Sequence, residues 1–286
     1  MYCNGSLITE EIIRSFSKYP PRIVEVTLYG ASEKTFEAIT RKSGSFAACR
    51  QGIDCLRRAG VRVRLKTVVL TLNYEELPAI RKTAEDMGLQ FRHDCSIIPA
   101  LPHQDNKDNN NNNIRTDIRD SGKNGLRETL RFRLDPEQAA AADISAPDVK
   151  EKLRELTMRQ AASTELSKEL YHELYHCGAG RSSYHITPYG EMQPCIITLR
   201  PSVDLVAGTQ RFRESWNILH GEFTQQKAAA DFLCNSCSTR KICTGCPSTF
   251  ALETGYPEDI PPFYCQYTEC RRQAVESLLV TEAQTA

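Results

Sequence analysis

The stretch "CNSCSTRKICTGCP", Cys234–Pro247, crowds four thiols together, and what they bind decides the architecture. A disulfide framework, a zinc ribbon and an iron–sulfur site all produce such crowding. The rest of the sequence separates them. Met1–Glu11 shows no basic segment followed by an apolar run, so no signal peptide is read. No apolar stretch approaches the roughly 20 residues of a membrane helix. A cytoplasmic protein is expected, and there a dense cysteine cluster points to metal binding or catalysis before disulfides. Lys plus Arg total 36, equal to Asp plus Glu at 36, so the basic excess of a nucleic-acid binder is missing.

Eight of the 12 cysteines fall between Cys177 and Cys270. Written with its gaps, the pattern is Cys177, twelve residues, Gly190, four residues, Cys195; then Cys234, two, Cys237, five, Cys243, two, Cys246; later Cys265 and Cys270. Two cysteines separated by a tight two-residue turn can face one metal or one cluster, so Cys234, Cys237 and Cys243 make a local nest. Cys246, followed by Pro247, comes too soon to wrap the same cube. In the bacterial ferredoxin run a last Cys before Pro ligates the other cluster. By that logic Cys246 joins Cys177 and Cys195, and Cys265 completes the nest.

Upstream, the chain alternates helical and strand patterns. Thr9 caps a helical run through Ile12, Ile13 and Phe16, which Pro20 and Pro21 end. Arg22–Gly30 and Val61–Leu70 read as strands, with a helix carrying Phe46, Cys49, Ile53 and Leu56 between them. Asn73 and Glu76 suggest a capping box ahead of a helix with Leu77, Ile80, Ala84 and Met87 on one face. Leu89–Ile98 is a further strand, and Tyr2–Cys3 is a short first one. Such βα alternation predicts a parallel sheet, with chemistry at the C-terminal ends of its strands. Residues 102–125, with five consecutive asparagines (Asn109–Asn113), read as an exposed, mobile insertion. A charged helix is expected over roughly 148–175.

The whole pattern resembles the SPASM domain of radical S-adenosylmethionine (radical SAM) enzymes. Cys177, Gly190 and Cys195 match the first half of its cysteine motif, and Cys234, Cys237 and Cys243 the second; Cys246 stands one residue early. "CGAGRSSYHITPYGEMQPC", "FYCQYTECR", "TLYGASEKTFEAITRKSGSF" and "LRFRLDPEQ" also look like the peptide-modifying members of that family. The resemblance implies an α/β fold: a partial (β/α) radical SAM barrel over 1–101, the Asn-rich insertion over 102–125, a bridging helical segment over 126–176 and a SPASM domain over 177–286. It implies two auxiliary [4Fe–4S] clusters. One would be held by Cys177, Cys195 and Cys246 with an unassigned fourth ligand, the other by Cys234, Cys237, Cys243 and Cys265. Cys270 is either that fourth ligand or an ordinary helix residue. Thr27, Lys66 and Thr67 would lie where the family's strands approach S-adenosylmethionine, although ordinary strand-end roles suit them too.

The family's radical cluster sits on CX3CX2C, where the iron without a thiolate binds S-adenosylmethionine and its cleavage releases a 5′-deoxyadenosyl radical. No CX3CX2C occurs in this sequence, and the family's GGE segment is missing as well. "YCNGSLIT" matches the family's third strand, so a truncated barrel is expected, with S-adenosylmethionine used only by a full-length form. The implied parental activity is radical modification of a peptide or protein, with an electron donor as a further partner and no nucleic acid or membrane. Two rivals remain open: a structural zinc protein using Cys234, Cys237, Cys243 and Cys246, and a non-catalytic peptide-binding module. His176 and His185 read as surface residues, Asp94 as a solvated turn carboxylate, and Cys3, Cys49, Cys55 and Cys95 as buried small hydrophobes.

Overall fold

A computed structural model of the chain describes residues 1–99, 126, 128–162, 173–208 and 211–285. The expectations for the asparagine-rich insertion lie outside the described residues. The chain divides into two compact units. The first gathers Met1–Ile97, Glu128–Glu155 and Cys270–Ala286; the second is built on Leu156–Glu269.

The first unit is α/β. Its strands β1 (Tyr2–Cys3), β2 (Val24–Thr27), β3 (Val63–Val68) and β4 (Gln90–Asp94) form one parallel sheet in sequence order. The register pairs Cys3 with Val26, Thr27 with Lys66, and Lys66 with Arg92. Helices α1 (Glu10–Lys18), α2 (Glu33–Thr40), α3 (Ser45–Arg58) and α4 (Leu77–Asp86) fill the crossovers. Val24, Val26, Leu28, Leu65, Cys49, Ile53, Leu56 and Ile80 are fully buried in one core. Each such large aliphatic side chain contributes about 1.5–3 kcal/mol of transfer free energy.

Period-two alternation gives the sheet two unlike faces. Val63, Leu65 and Thr67 point to the helices, whereas Arg64 and Lys66 point the other way. On that second face Glu25, only 5% exposed, accepts from Arg64 at 3.1 Å and from Arg92 at 2.6 Å. The Tyr2 ring lies under Lys66 Nζ at 4.5 Å.

Thr9 caps α1 as expected, its hydroxyl accepting from the Ile12 amide. The Asn73–Glu76 capping box does not form, because both side chains are used elsewhere. Asn73, 1% exposed, accepts from the Leu70 amide and donates to the carbonyls of Tyr29 and Val68. Glu76 accepts from the Ala31 and Ser32 amides and from the Ser32 and Thr35 hydroxyls. It thereby fixes the loop from β2 into α2. Burial opposes the Glu76 charge, but these hydrogen bonds outweigh it and hold the carboxyl below its ordinary range.

After the insertion come α5 (Pro136–Ile144), capped by Asp135, and α6 (Pro147–Ala162). The charged helix expected over 148–175 is therefore shorter: at Glu173 the chain is already in a β-bridge with Lys227. The second unit has a small antiparallel sheet, β5 (His185–Ile186), β6 (Glu191–Gln193) and β7 (Val203–Asp204). It adds α7 (Phe212–Thr224), α8 (Pro247–Thr254) and the first residues of α9 (Pro262–Thr285). Its core joins Leu174, Tyr175, Ala179, Phe223, Phe232, Phe250 and Tyr264, with Tyr175 stacked on Phe223. Among the described residues no helix is long and apolar enough to cross a membrane.

Candidate iron–sulfur site

The thiols of the second unit sit on short turns rather than on regular elements, which is how neighbouring sulfurs can converge. Cys195 lies two residues past the end of β6, after the hairpin whose Gly190 has φ +85°; a Cβ there would meet Val206 Cγ2 at 2.3 Å. Cys234 lies in a 3-10 turn, Leu233–Ser236, and Cys237 ends it. A second such turn, Arg240–Ile242, delivers Cys243. Cys246 is the N-cap of α8 with Pro247 as its first helical residue, where a missing N–H costs nothing. Cys265 opens α9 and is exposed. None of the twelve cysteines is disulfide-bonded.

Three of these thiols are shifted, each with its own neighbours. Burial pushes the Cys234 thiol up to about 11; Arg240 opposes this, while Cys243, Cys237 and Cys265 add to it. Cys265 is raised by burial and then by Cys243 and Cys237. Cys234 and Cys265 thus each lie within electrostatic reach of Cys237 and Cys243. Cys246 is raised by burial, against hydrogen bonds from the Ser248 and Thr249 amides and the Ser248 hydroxyl, and Cys177 raises it further. The Tyr175 phenol is raised by burial and senses Cys246, Cys177 and Cys195 together. Cys270 groups instead with the first unit.

Backbone donors already point at sulfur. The Ile197 amide donates to Cys195 Sγ and the Gly245 amide to Cys243 Sγ, both at 3.2 Å. Hydrogen bonds of this kind stabilise thiolate charge and tune the potential of an iron–sulfur cluster. The all-thiol donor set, with the α8 N-terminus turned on Cys246, fits such clusters. A single zinc about 2.3 Å from four thiolates would hold their sulfurs roughly 3.8 Å apart. Among the described residues no three of these sulfurs lie within 4.8 Å of one another. A cube of iron and sulfide spaces its thiolates more widely than one ion does. His176 lies beside Cys177 in sequence, and burial pushes its pKa down.

In the first unit, Thr27 and Lys66 are register partners near the C-terminal ends of β2 and β3. Lys66 belongs to the charged face. Thr67 is 2% exposed on the helix side, 3.5 Å from Asn73 Nδ2. Asp94 accepts from the Ser96 amide at 2.7 Å in the turn after β4. The Glu25–Arg64–Arg92 group was legible only as alternation in "RIVEVT" and "VRVRLK". A cluster of His93, Cys95 and Asp143 escapes the sequence altogether, because Asp143 is far from the other two in the chain.

No family model matches the chain. An AdoMet-dependent heme synthase of Methanosarcina barkeri is 23% identical over 280 residues, covering 92% of this chain and 73% of that protein. The structure of native anSMEcpe with bound AdoMet superposes with a TM-score of 0.60 at 13% identity, covering 100% of this chain and 74% of that one. The same protein with AdoMet and the Kp18Cys peptide gives 0.56 at 13% identity, covering 100% and 75%. Streptococcus suis SuiB bound to S-adenosylmethionine gives 0.50 at 16% identity, covering 90% of this chain and 56% of that one. In fold the chain is thus similar to these AdoMet-bound proteins, with an α/β first unit on a parallel sheet and a cysteine-rich second unit.

Proposed function

We propose that the second unit holds two auxiliary [4Fe–4S] clusters and serves radical modification of a peptide or protein. Cys234, Cys237, Cys243 and Cys265 would hold one cluster. Cys177, Cys195 and Cys246 would hold the other, with a fourth ligand unassigned. The observation that carries this reading is the placement of these thiols on short turns and at the α8 N-terminus, with backbone amides donating to Cys195 and Cys243 sulfur. When bound, such clusters supply one-electron carriers. The chain's own residues would set their character: the Ile197 and Gly245 amides donate to sulfur, Arg240 offsets negative charge at Cys234, and the α8 N-terminus does so at Cys246.

The similar proteins support the rest. The heme synthase is AdoMet-dependent, and anSMEcpe is seen with AdoMet and a peptide. A peptide or protein substrate and an electron donor are the proposed partners, and the cytoplasm the proposed location, where thiols stay reduced. Thr27 and Lys66, adjacent on β2 and β3, are proposed contacts for S-adenosylmethionine. Thr67 is better explained by its place beside Asn73. Since the sequence has no CX3CX2C, this chain by itself would pass electrons through its clusters without cleaving S-adenosylmethionine.

The test is to incubate the anaerobically reconstituted chain with dithionite and S-adenosylmethionine. Reversible bleaching without 5′-deoxyadenosine above the chain-free control is expected. Multiple equivalents of 5′-deoxyadenosine per chain would contradict the proposal.

A further inference from the structure

The first unit contains a second set of metal-ligating side chains, on residues that the proposed function does not use. His93 and Cys95 share one side of the β4 end, two residues apart, and Asp143 comes from the last turn of α5. One ligand atom of each lies within 4.8 Å of the other two. Cys95 is 2% exposed and Asp143 8%. These are not solvated groups that happen to meet at a surface.

The imidazole is set up in a particular way. His93 Nε2 lies 2.9 Å from the Ala142 carbonyl, so that nitrogen carries the proton and donates. The lone pair then resides on Nδ1. Nδ1 is buried and has no hydrogen-bond partner among the described residues. Metal-binding histidines characteristically donate their other ring N–H to a backbone carbonyl or carboxylate, which fixes tautomer and ring direction. The Cys95 thiol hydrogen-bonds to Asp143. Arg271 Nε holds Asp143 Oδ2 at 3.1 Å, orienting the carboxylate and balancing part of the negative charge.

We propose that His93 Nδ1, Cys95 Sγ and the Asp143 carboxylate bind one divalent cation of the zinc class. Mixed nitrogen, sulfur and oxygen donors suit zinc, whereas calcium and magnesium take oxygen ligands. The cation would replace the proton that Cys95 shares with Asp143, releasing it to solvent, and would occupy the orphaned lone pair of His93. Three protein ligands leave a fourth position for water. The bound ion would join the end of β4 to α5.

The probe is zinc itself. The full chain, reconstituted with iron and sulfide, is given one equivalent of zinc chloride, desalted and measured by zinc X-ray absorption. One sulfur at about 2.3 Å together with nitrogen and oxygen ligands is the expected shell. A four-sulfur shell would place zinc among the thiols of the second unit and overturn the proposal. So would failure to retain zinc. Cys95→Ala and His93→Gln should each weaken zinc retention at least tenfold while leaving iron per chain unchanged. Equal retention in both variants would also overturn it. Should either variant fail to fold, the wild-type absorption spectrum still decides.

Discussion

Gly52 lies in the middle of α3, where glycine is normally unfavourable, and it faces the turn that ends β1. An alanine Cβ at this position would stand 1.8 Å from the Gly5 carbonyl oxygen and 2.9 Å from its carbon. Ordinary contact begins at 3.4 Å, so α3 would have to retreat by about 1.6 Å from a close-packed neighbour. Retreat loosens Cys49, Ile53 and Leu56, all at 0% exposure. Overpacking of this kind costs about 1–3 kcal/mol, and more when the obstacle is backbone. Against it stands a helix-propensity gain of about 1 kcal/mol for Gly→Ala. The obstacle wins, and Gly52→Ala should destabilise the first unit by roughly 2 kcal/mol. Gly221→Ala is the matched control: it lies in α7, and its Cβ would meet nothing within 4 Å. It should stabilise by about 0.5–1 kcal/mol. Guanidinium unfolding followed by circular dichroism, with hydrogen exchange read on α3 peptides, separates the two units if they unfold independently. A Gly52→Ala protein as stable as wild type would refute the close-approach argument.

Three further outcomes are expected. Cys243→Ala and Cys246→Ala should each remove one cluster, lowering iron by about four per chain while leaving the other four; loss of all iron from either variant would mean that the two thiol sets are not separate sites. Ligand thiols must lose their protons to bind metal, and burial raises those of Cys234, Cys246 and Cys265, so a chelator should strip iron faster at pH 6 than at pH 8.5. Glu76→Gln leaves amides of the β2–α2 loop poorly satisfied and should cost about 1–3 kcal/mol at neutral pH. Because the folded pKa of Glu76 is depressed, its contribution is present above the unfolded value of about 4.3 and is lost as pH falls through the folded one. Acid titration of unfolding stability should therefore show the Glu76→Gln deficit shrinking below about pH 4.

The elements were legible where local pattern and tertiary need agree. β-branched alternation in Val61–Leu70 gave β3, and the Thr9 hydroxyl gave the start of α1. Pattern failed at Asn73 and Glu76, whose spacing imitates a cap but whose side chains bind backbone groups about 44 residues away in the chain. Short gaps place Cys234, Cys237 and Cys243 on neighbouring turns, whereas the long gaps to Cys177, Cys195 and Cys265 leave their partners to the fold. Thr67 was legible as a strand-end residue, but which face it occupies depends on register. His93, Cys95 and Asp143 carry no motif, since the packing of α5 against β4 creates their proximity.

The most direct test of the central claim is iron and acid-labile sulfide per chain after anaerobic reconstitution, with zinc measured in the same sample. Two auxiliary clusters predict about eight irons and eight sulfides. Zinc without iron would contradict the account, and about twelve irons would show ligands for a third cluster outside the thiols named above.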